Sequence, residues 1–423
     1  MVFSDPEGQI FDHPSLYMAA QSGTRKLPGH ADRLTPLPEG SQLFTLPGRY
    51  PVGWDPESEN FVTVEEAVID GRRIECTAVA AFLAPGYLRC LLPATNLKEK
   101  SSVLPLWAYG AVGLREESFW VSAILVDSNP HWHTKFFTDD EDLTRRVDRY
   151  LKEYPQNRFL KHLSHCALNY HCFAAKNVFY RRWEIPVPTS PSCNARCLGC
   201  LSSQPSNGCK ASHQRISFVP TVEELIEVAL PHMERAEAPI VSFGQGCEGE
   251  PLLQDQLLEK TIARLREKTS RGTLNVNTNG SLPQVVDRLA GVGLDSMRIT
   301  LSSARPKYYG RYHQPEGYRF EDVLESICGA KARGVFVSLN LLVFPGFTDQ
   351  EDEIDALIRM VRVTGIDMIQ MRNLNIDSEW YLKKIGNLEG PALGVSKMLA
   401  ILRKTFPYLA IGYFNRSKES FSD

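Results

Sequence analysis

The stretch Cys193-Asn194-Ala195-Arg196-Cys197-Leu198-Gly199-Cys200 sets three cysteines at C-x3-C-x2-C spacing, directly after the β-prone run Trp183–Pro188. Three thiolates on one short loop can hold three corners of an iron–sulfur cluster and leave the fourth iron open. They can also hold zinc, which asks for a fourth ligand; Cys209 and His213 stand nearby in sequence. What surrounds the loop separates these readings.

Downstream of Trp183, short apolar runs alternate with amphipathic helical patterns, the mark of a parallel sheet flanked by helices. The expected strands are Trp183–Pro188, Pro239–Phe243, Thr273–Asn277, Ser296–Leu301, Phe336–Val343 and Met368–Met371. Between them, Val222, Leu225, Ile226 and Ala229 fall at i, i+3, i+4, i+7, as do Ile354, Leu357, Ile358 and Val361. Leu258, Ile262 and Leu265 form another stripe, and Leu324, Ile327 and Cys328 a further one that assigns Cys328 to the core. The fold class is therefore α/β: a partial (β/α)6 parallel barrel with a lateral opening, preceded by a smaller α+β N-terminal domain. The expected divisions are 1–178, 179–385 and a helix-and-strand extension over 386–423. Active sites of such folds lie on the loops at the strands' C-terminal ends. The three cysteines follow the first strand on that face.

The other strand ends carry polar sequences too. After the second strand comes Gly244-Gln245-Gly246-Cys247-Glu248-Gly249-Glu250-Pro251. Glycine lets a backbone approach a ligand closely, and a carboxylate can receive an ammonium group. The third strand ends in Asn277-Thr278-Asn279-Gly280 and the fourth in Thr300-Leu301-Ser302-Ser303, followed by Tyr309-Gly310-Arg311-Tyr312. The fifth runs into Pro345-Gly346-Phe347-Thr348-Asp349, where Asp349 can serve as a helix cap. The sixth brings Gln370 and Arg372 toward the same mouth.

This ordered set resembles the radical S-adenosylmethionine (SAM) superfamily over about residues 183–375. The resemblance implies that Cys193, Cys197 and Cys200 ligate a [4Fe–4S] cluster whose open iron takes the amino and carboxylate groups of SAM. It implies that Gly249 and Glu250, in a variant of the family's Gly-Gly-Glu-Pro motif, hold the SAM amino group; Glu248 replaces the first glycine. Asn279 is implied near SAM and Ser302, with Ser303 beside it, at the ribose. Arg311 is implied at the SAM carboxylate, which a planar guanidinium suits; a solvated helix arginine is the equal alternative. The implied activity is reductive cleavage of SAM to a 5′-deoxyadenosyl radical that abstracts hydrogen from an unidentified substrate. The long loop Ser202–Phe218 and the N-terminal domain suggest a peptide, protein or large metabolite. An electron donor such as flavodoxin or ferredoxin is expected. No catalytic residue is assigned. A non-catalytic iron–sulfur carrier or redox sensor on the same barrel is the alternative, and Gly249, Glu250 and Ser302 argue against it.

The first half matches no recognised family. Residues 1–40 read as loops with a short helix, and Ser41 to Asp127 as a mostly antiparallel β region. Thr138-Asp139-Asp140-Glu141 has capping-box form ahead of a helix through Leu143, Val147, Tyr150 and Leu151; a second helix runs through Phe159, Leu160, Leu163 and Ala167. The pairs His165-Cys166 and His171-Cys172 invite a metal reading. Adjacent helical residues diverge, however, and cysteine is commonly buried. His131-Trp132-His133 reads as a loop with stacked side chains. Cys209 and Cys247 each stand where they could face the site.

The chain's 423 residues suffice for two domains, and 43% hydrophobic against 23% charged residues supports a packed core. A net charge of −3 gives no indication of a nucleic-acid partner. The ten scattered cysteines do not form a secreted disulfide pattern. No leader-like segment opens the sequence, and no apolar run approaches the roughly 18 residues of a membrane span. A cytoplasmic location is expected. A cysteine-rich C-terminal segment for an auxiliary cluster is absent, as is an Asp-x-His-x-x-Gly segment for cobalamin.

Overall fold

Strands buried on both faces carry near-continuous apolar runs, and six such runs after residue 183 build one sheet. The computed structural model describes all residues except 30–33, 206, 207, 387, 389 and 423. Its strands β1 Glu184–Val187, β2 Ile240–Phe243, β3 Thr273–Thr278, β4 Ser296–Leu301, β5 Phe336–Val343 and β6 Met368–Asn373 lie side by side in chain order. All pairs are parallel. A seventh strand, β7 Ala410–Gly412, extends the sheet with Ile369 opposite Ile411. It comes from the segment expected as an extension; its brevity hid its place in the sheet. The sheet curls until Asn415, just past β7, donates through Nδ2 to Glu184 Oε1 on β1 at 2.6 Å.

Helices α1 Asp140–Glu153, α2 Arg158–Asn169 and α3 Phe173–Tyr180 precede β1. The crossovers are α4 Val222–Arg235, α5 Asp255–Lys268, α6 Pro283–Gly291, α7 Pro306–His313, α8 Phe320–Ala332 and α9 Glu351–Thr364, with α10 Ser378–Ile385 and α11 Val395–Thr405 after β6. Helix α4 starts at a full capping box between Thr221 and Glu224, a device whose loss costs about 1 kcal/mol. Glu224 also receives both Arg158 Nε and Nη2 at 2.8 Å, tying α2 to α4. The cap of α1 is Asp139, which accepts from Asp142 N, so the helix starts one residue later than the expected box. Leu143, Phe159, Leu163 and Phe179 share one apolar core with the barrel strands, although from sequence these helices belong with residues 1–178. On α8 the inward positions are Val323, Ile327 and Ala330, and Cys328 is exposed. Ile327 is buried and Leu324 half-buried as expected, whereas Cys328 is one position past Ile327, a rotation of about 100° that turns it to solvent.

Residues before the helices form antiparallel strands. Contrary to the expected loops, Val2–Ser4 pairs with Ile10–Asp12 and Tyr17–Ser22 with Arg25–Pro28. These strands are too short for alternation to stand out among Gly and Pro; the part of the expectation on residues 30–33 lies outside the described residues. The β region is seated on the barrel mouth. Arg89, fully buried, donates to Leu374 O at 2.6 Å, and Asn373 exchanges hydrogen bonds with the backbone of Tyr87 and Arg89 at 2.9 Å each. Arg49 pairs with Asp377, and both are buried.

Candidate functional site

A cavity of about 460 Å³ opens at the C-terminal ends of the strands, with Cys193, Cys197 and Cys200 in its wall. Backbone pairing holds the cysteine loop. Arg196 N donates to His313 O at 3.0 Å, Leu198 N to Tyr312 O at 2.9 Å and Glu316 N to Asn194 O at 2.8 Å. The loop is thus laid against the end of α7. Burial pushes the Cys193 thiol up to about 11 and that of Cys197 higher still; coordination to a cation reverses such a shift by removing the proton.

The opposite flank of the loop is fixed by the turn after β2. Gly249 N donates to Ser190 O at 2.7 Å and Glu250 N to Ser192 O at 2.8 Å. A Cβ on Gly249 would stand 1.9 Å from Ser192 O, so only glycine allows this approach. Gly244, at φ +78°, opens the turn against Asn277 O in the same way.

Glu248 replaces a glycine of the family motif, and the structure gives it a task. Its Oε2 accepts from Thr189 N at 2.7 Å, Thr189 Oγ1 at 3.1 Å and Ser190 N at 3.0 Å. Its Oε1 accepts from Gly244 N at 2.7 Å and Gln245 N at 2.8 Å. One buried carboxylate therefore ties the end of β1 to the turn after β2. Glu250 does the same between that turn and β3: it accepts from Thr278 Oγ1, from Leu252 N at 3.1 Å and from Asn279 N at 2.9 Å. Burial pushes both carboxyls up to about 7 against these hydrogen bonds. A carboxylate offers about four acceptor sites, so Glu250, in the cavity wall, retains capacity for one further donor.

Asn279 reaches back to the loop, its Nδ2 donating to Asn194 Oδ1 at 2.8 Å, and also lines the cavity. Gly249, Glu250 and Asn279 are therefore assembled against the cysteines. Ser302 is buried one strand further on, and its Oγ has no hydrogen-bond partner. Its neighbour Ser303 is engaged with Glu353 at 2.7 Å. Arg311 is placed elsewhere: its guanidinium donates to Ile385 O, ties α7 to α10 and does not line the cavity. Gln370 is held in the barrel interior by Ser338 and Asn415. Asp349 is buried and accepts from Gly346 N. Cys209 sits in an apolar cluster with Leu92 and Phe344, whereas Cys247 lines the cavity. His131 stacks on Trp183 with centroids 4.4 Å apart.

Other residues of the site, Arg372 apart, had no signal in the sequence. His313 Nδ1 lies 3.4 Å from Cys197 Sγ, and burial drives this imidazole down to about 3, so it is neutral. Arg215 Nη2 lies 3.5 Å from Cys200 Sγ. Arg298 and Arg372 face the cavity from β4 and β6, and Arg298 Nε is buried without a partner. Each contact joins positions far apart in the chain, where no spacing rule operates.

The family model described as the radical SAM superfamily matches residues 187–358. This part of the chain is a radical SAM domain. The matched span runs from the end of β1 through most of α9, so it contains the cysteine loop and the strand-end motifs. Among curated proteins, the chain is 26% identical over 184 residues to the FeMo cofactor biosynthesis protein NifB of Klebsiella pneumoniae, covering 40% of this chain and 39% of that one. It is 25% identical over 229 residues to a GTP 3′,8-cyclase of Mycobacterium ulcerans, covering 53% and 58%. The chain thus spans about two fifths to three fifths of the length of these relatives. Solved structures similar to it include methylornithine synthase (PylB), at TM-score 0.38 and 14% identity over 64% of this chain and 74% of that one. Streptococcus suis SuiB bound to its precursor peptide SuiA gives 0.38 and 14% over 66% and 61%.

Radical SAM proteins bind a [4Fe–4S] cluster and SAM, and the residues here fit both. The Gly249 cradle and the open acceptor site of Glu250 leave room for a polar ligand in the cavity, whereas Ser302, with its unpartnered Oγ, does not line it.

Proposed function

We propose that the chain is a radical SAM enzyme acting on a substrate that carries negative charge. When bound, the cluster and SAM supply reductive cleavage of SAM to methionine and a 5′-deoxyadenosyl radical, which takes hydrogen from the substrate. Cys193, Cys197 and Cys200 act as ligands to three irons, and the fourth is left for SAM. Glu250 offers its free acceptor site to the SAM ammonium, Asn279 orients the cysteine loop, and Ser302 offers its hydroxyl to the ribose. Arg298 and Arg372 supply the cationic side of the cavity, and a planar guanidinium suits carboxylate or phosphate.

The observation that carries this reading is the hydrogen-bonded union of the Glu248–Glu250 turn with the cysteine loop on one cavity wall. A carrier would need the cysteines but not the turn. The β region over residues 1–127 is fastened beside the cavity through hydrogen bonds of Arg89 to Leu374 and to Asn373, both of which line it, and flavodoxin or ferredoxin is the proposed reductant. Ten unpaired cysteines suit a reducing cytoplasm.

Anaerobic reconstitution with iron and sulfide, followed by dithionite and SAM, tests the proposal. Formation of 5′-deoxyadenosine that is lost in the Cys193→Ala/Cys197→Ala/Cys200→Ala variant is the expected result. An intact cluster that never cleaves SAM would overturn the enzyme reading in favour of a carrier.

A further inference from the structure

A second set of metal-ligating side chains, two of which line the same cavity, stands apart from the cysteine loop. His162, Cys166 and Cys247 bring one ring nitrogen and two sulfurs to within 4.8 Å of one another. His162 and Cys166 lie at i, i+4 on one face of α2, with His162 Nε2 3.6 Å from Cys166 Sγ. Cys247 comes from the turn after β2 and meets them across the gap between α2 and the barrel. Cys166 and Cys247 are 2% and 7% exposed, and both line the cavity.

Position on α2 explains why sequence pairs suggested the wrong partner. His165, adjacent to Cys166, turns away and packs edge-on against Tyr170, 5.0 Å between centroids. His171 faces Asp140 at 3.7 Å. The residue one turn before Cys166 is His162, and that is the one beside its sulfur. A further imidazole stands by: His213, from the long loop after the cysteines, lines the cavity, and its Nδ1 is buried with no hydrogen-bond partner.

We propose that His162, Cys166 and Cys247 form a second metal site for a single thiophilic divalent cation of the zinc class, with its remaining coordination position directed to the cavity. One imidazole and two thiolates are the soft N/S donors that zinc and iron prefer over magnesium or calcium. Three protein ligands with one position left over is the arrangement of zinc sites that receive an exogenous ligand; His213 is the protein group placed to close it. Both cysteines bind as thiolates, so any thiol proton still held by the pair leaves on coordination. The site stands whether or not the Cys193 loop carries its cluster.

The test uses the full chain with Cys193→Ala/Cys197→Ala/Cys200→Ala, which removes the cluster ligands, purified anaerobically and stripped with chelator. Co²⁺ is the probe, read by its thiolate charge-transfer and ligand-field absorption, with Zn²⁺ as competitor. The expected result is saturation at one equivalent and displacement by Zn²⁺. Changes beyond the ligands alone cost about 10–100-fold in metal affinity, so Cys166→Ser or Cys247→Ser should weaken binding by at least that much. His162→Ala, at a half-buried helix position, should do likewise without disturbing the core, and the exposed Cys328→Ser should change nothing. Metal analysis of the wild-type protein decides the natural ion: zinc, or iron beyond the cluster's share, lost in Cys247→Ser. Co²⁺ binding no tighter in the parent than in Cys166→Ser/Cys247→Ser, or a Cys166–Cys247 disulfide in protein kept anaerobic, would overturn the site.

Discussion

Glu248 accepts the backbone N–H of Thr189 at 2.7 Å, and with its other oxygen the N–H of Gly244 at the same distance. The end of β1, from which the cysteine loop springs, and the turn that faces it are thereby one unit. Glu248→Ala leaves four N–H groups without their acceptor, two of them buried and two half-buried. Each such group costs about 1–3 kcal/mol unless water reaches it. A loss of about 3 kcal/mol or more in unfolding free energy is expected by urea titration, with lower iron content after reconstitution.

Gly249→Ala acts on the same union by a different route. The added methyl meets backbone, Ser192 O at 1.9 Å, rather than a side-chain end that can swing away. Cluster loading should fall to a small fraction of wild type, read by iron and sulfide analysis. Gly329→Ala, with nothing within 4 Å of the new Cβ on α8, should stabilise by about 0.5–1 kcal/mol and leave loading unchanged.

His313 is neutral and lies 3.4 Å from the sulfur of Cys197. Hydrogen bonds to ligand sulfur help to set a cluster's reduction potential. With its proton on Nδ1, His313 donates to that sulfur, and His313→Phe removes the donor while retaining an aromatic ring in the stack with Tyr309, 4.3 Å away. The reconstituted cluster should then titrate at a more negative potential, followed by electron paramagnetic resonance at controlled potentials. An unchanged potential would remove His313 from the site's electrostatics.

Arg49 and Asp377 join the β region to the barrel with side chains 3% and 1% exposed. Asp377 also accepts from Leu104 N at 2.8 Å and caps α10 through Trp380 N at 2.9 Å. Removing one partner of a buried pair strands the other and typically costs about 3–5 kcal/mol. Asp377→Ala should lower the melting temperature and open the junction to limited proteolysis. A change on the scale of an exposed pair, within about 1 kcal/mol, would show that the two regions are held together elsewhere.

His232, buried on α4 with Nε2 at 2.7 Å from Trp183 O, has its imidazole driven down to about 4 by burial. In the unfolded chain it protonates near 6.5. The unfolded state therefore binds more protons between these values, and stability is present above pH 6.5 and lost as pH falls toward 4. His232→Gln cannot titrate, so its urea midpoint should fall less than that of wild type between pH 7.5 and 5.

Much of the barrel was legible because its signals are local. Ser296–Leu301 and Phe336–Val343 have the expected bounds, since a strand buried on both faces needs an unbroken apolar run. Thr221 and Glu224 announce α4 three residues apart. The strands within residues 1–40 were missed because each is too short to show its period. Arg311 was matched by motif, yet its guanidinium goes to Ile385 O; a helix position fixes where a side chain starts and not which neighbour it finds.

By itself, the sequence determined the six main barrel strands, their order, and the presence of three thiols on a loop after the first of them. Hydrophobic period and cysteine spacing act over a few residues, so they survive without a fold. Only the tertiary structure decided which groups meet: Glu248 between both loops, His313 beside Cys197, Arg298 in the same cavity wall, and His162 beside Cys166 and Cys247. Those pairings depend on where distant segments are packed, and packing is a property of the whole chain.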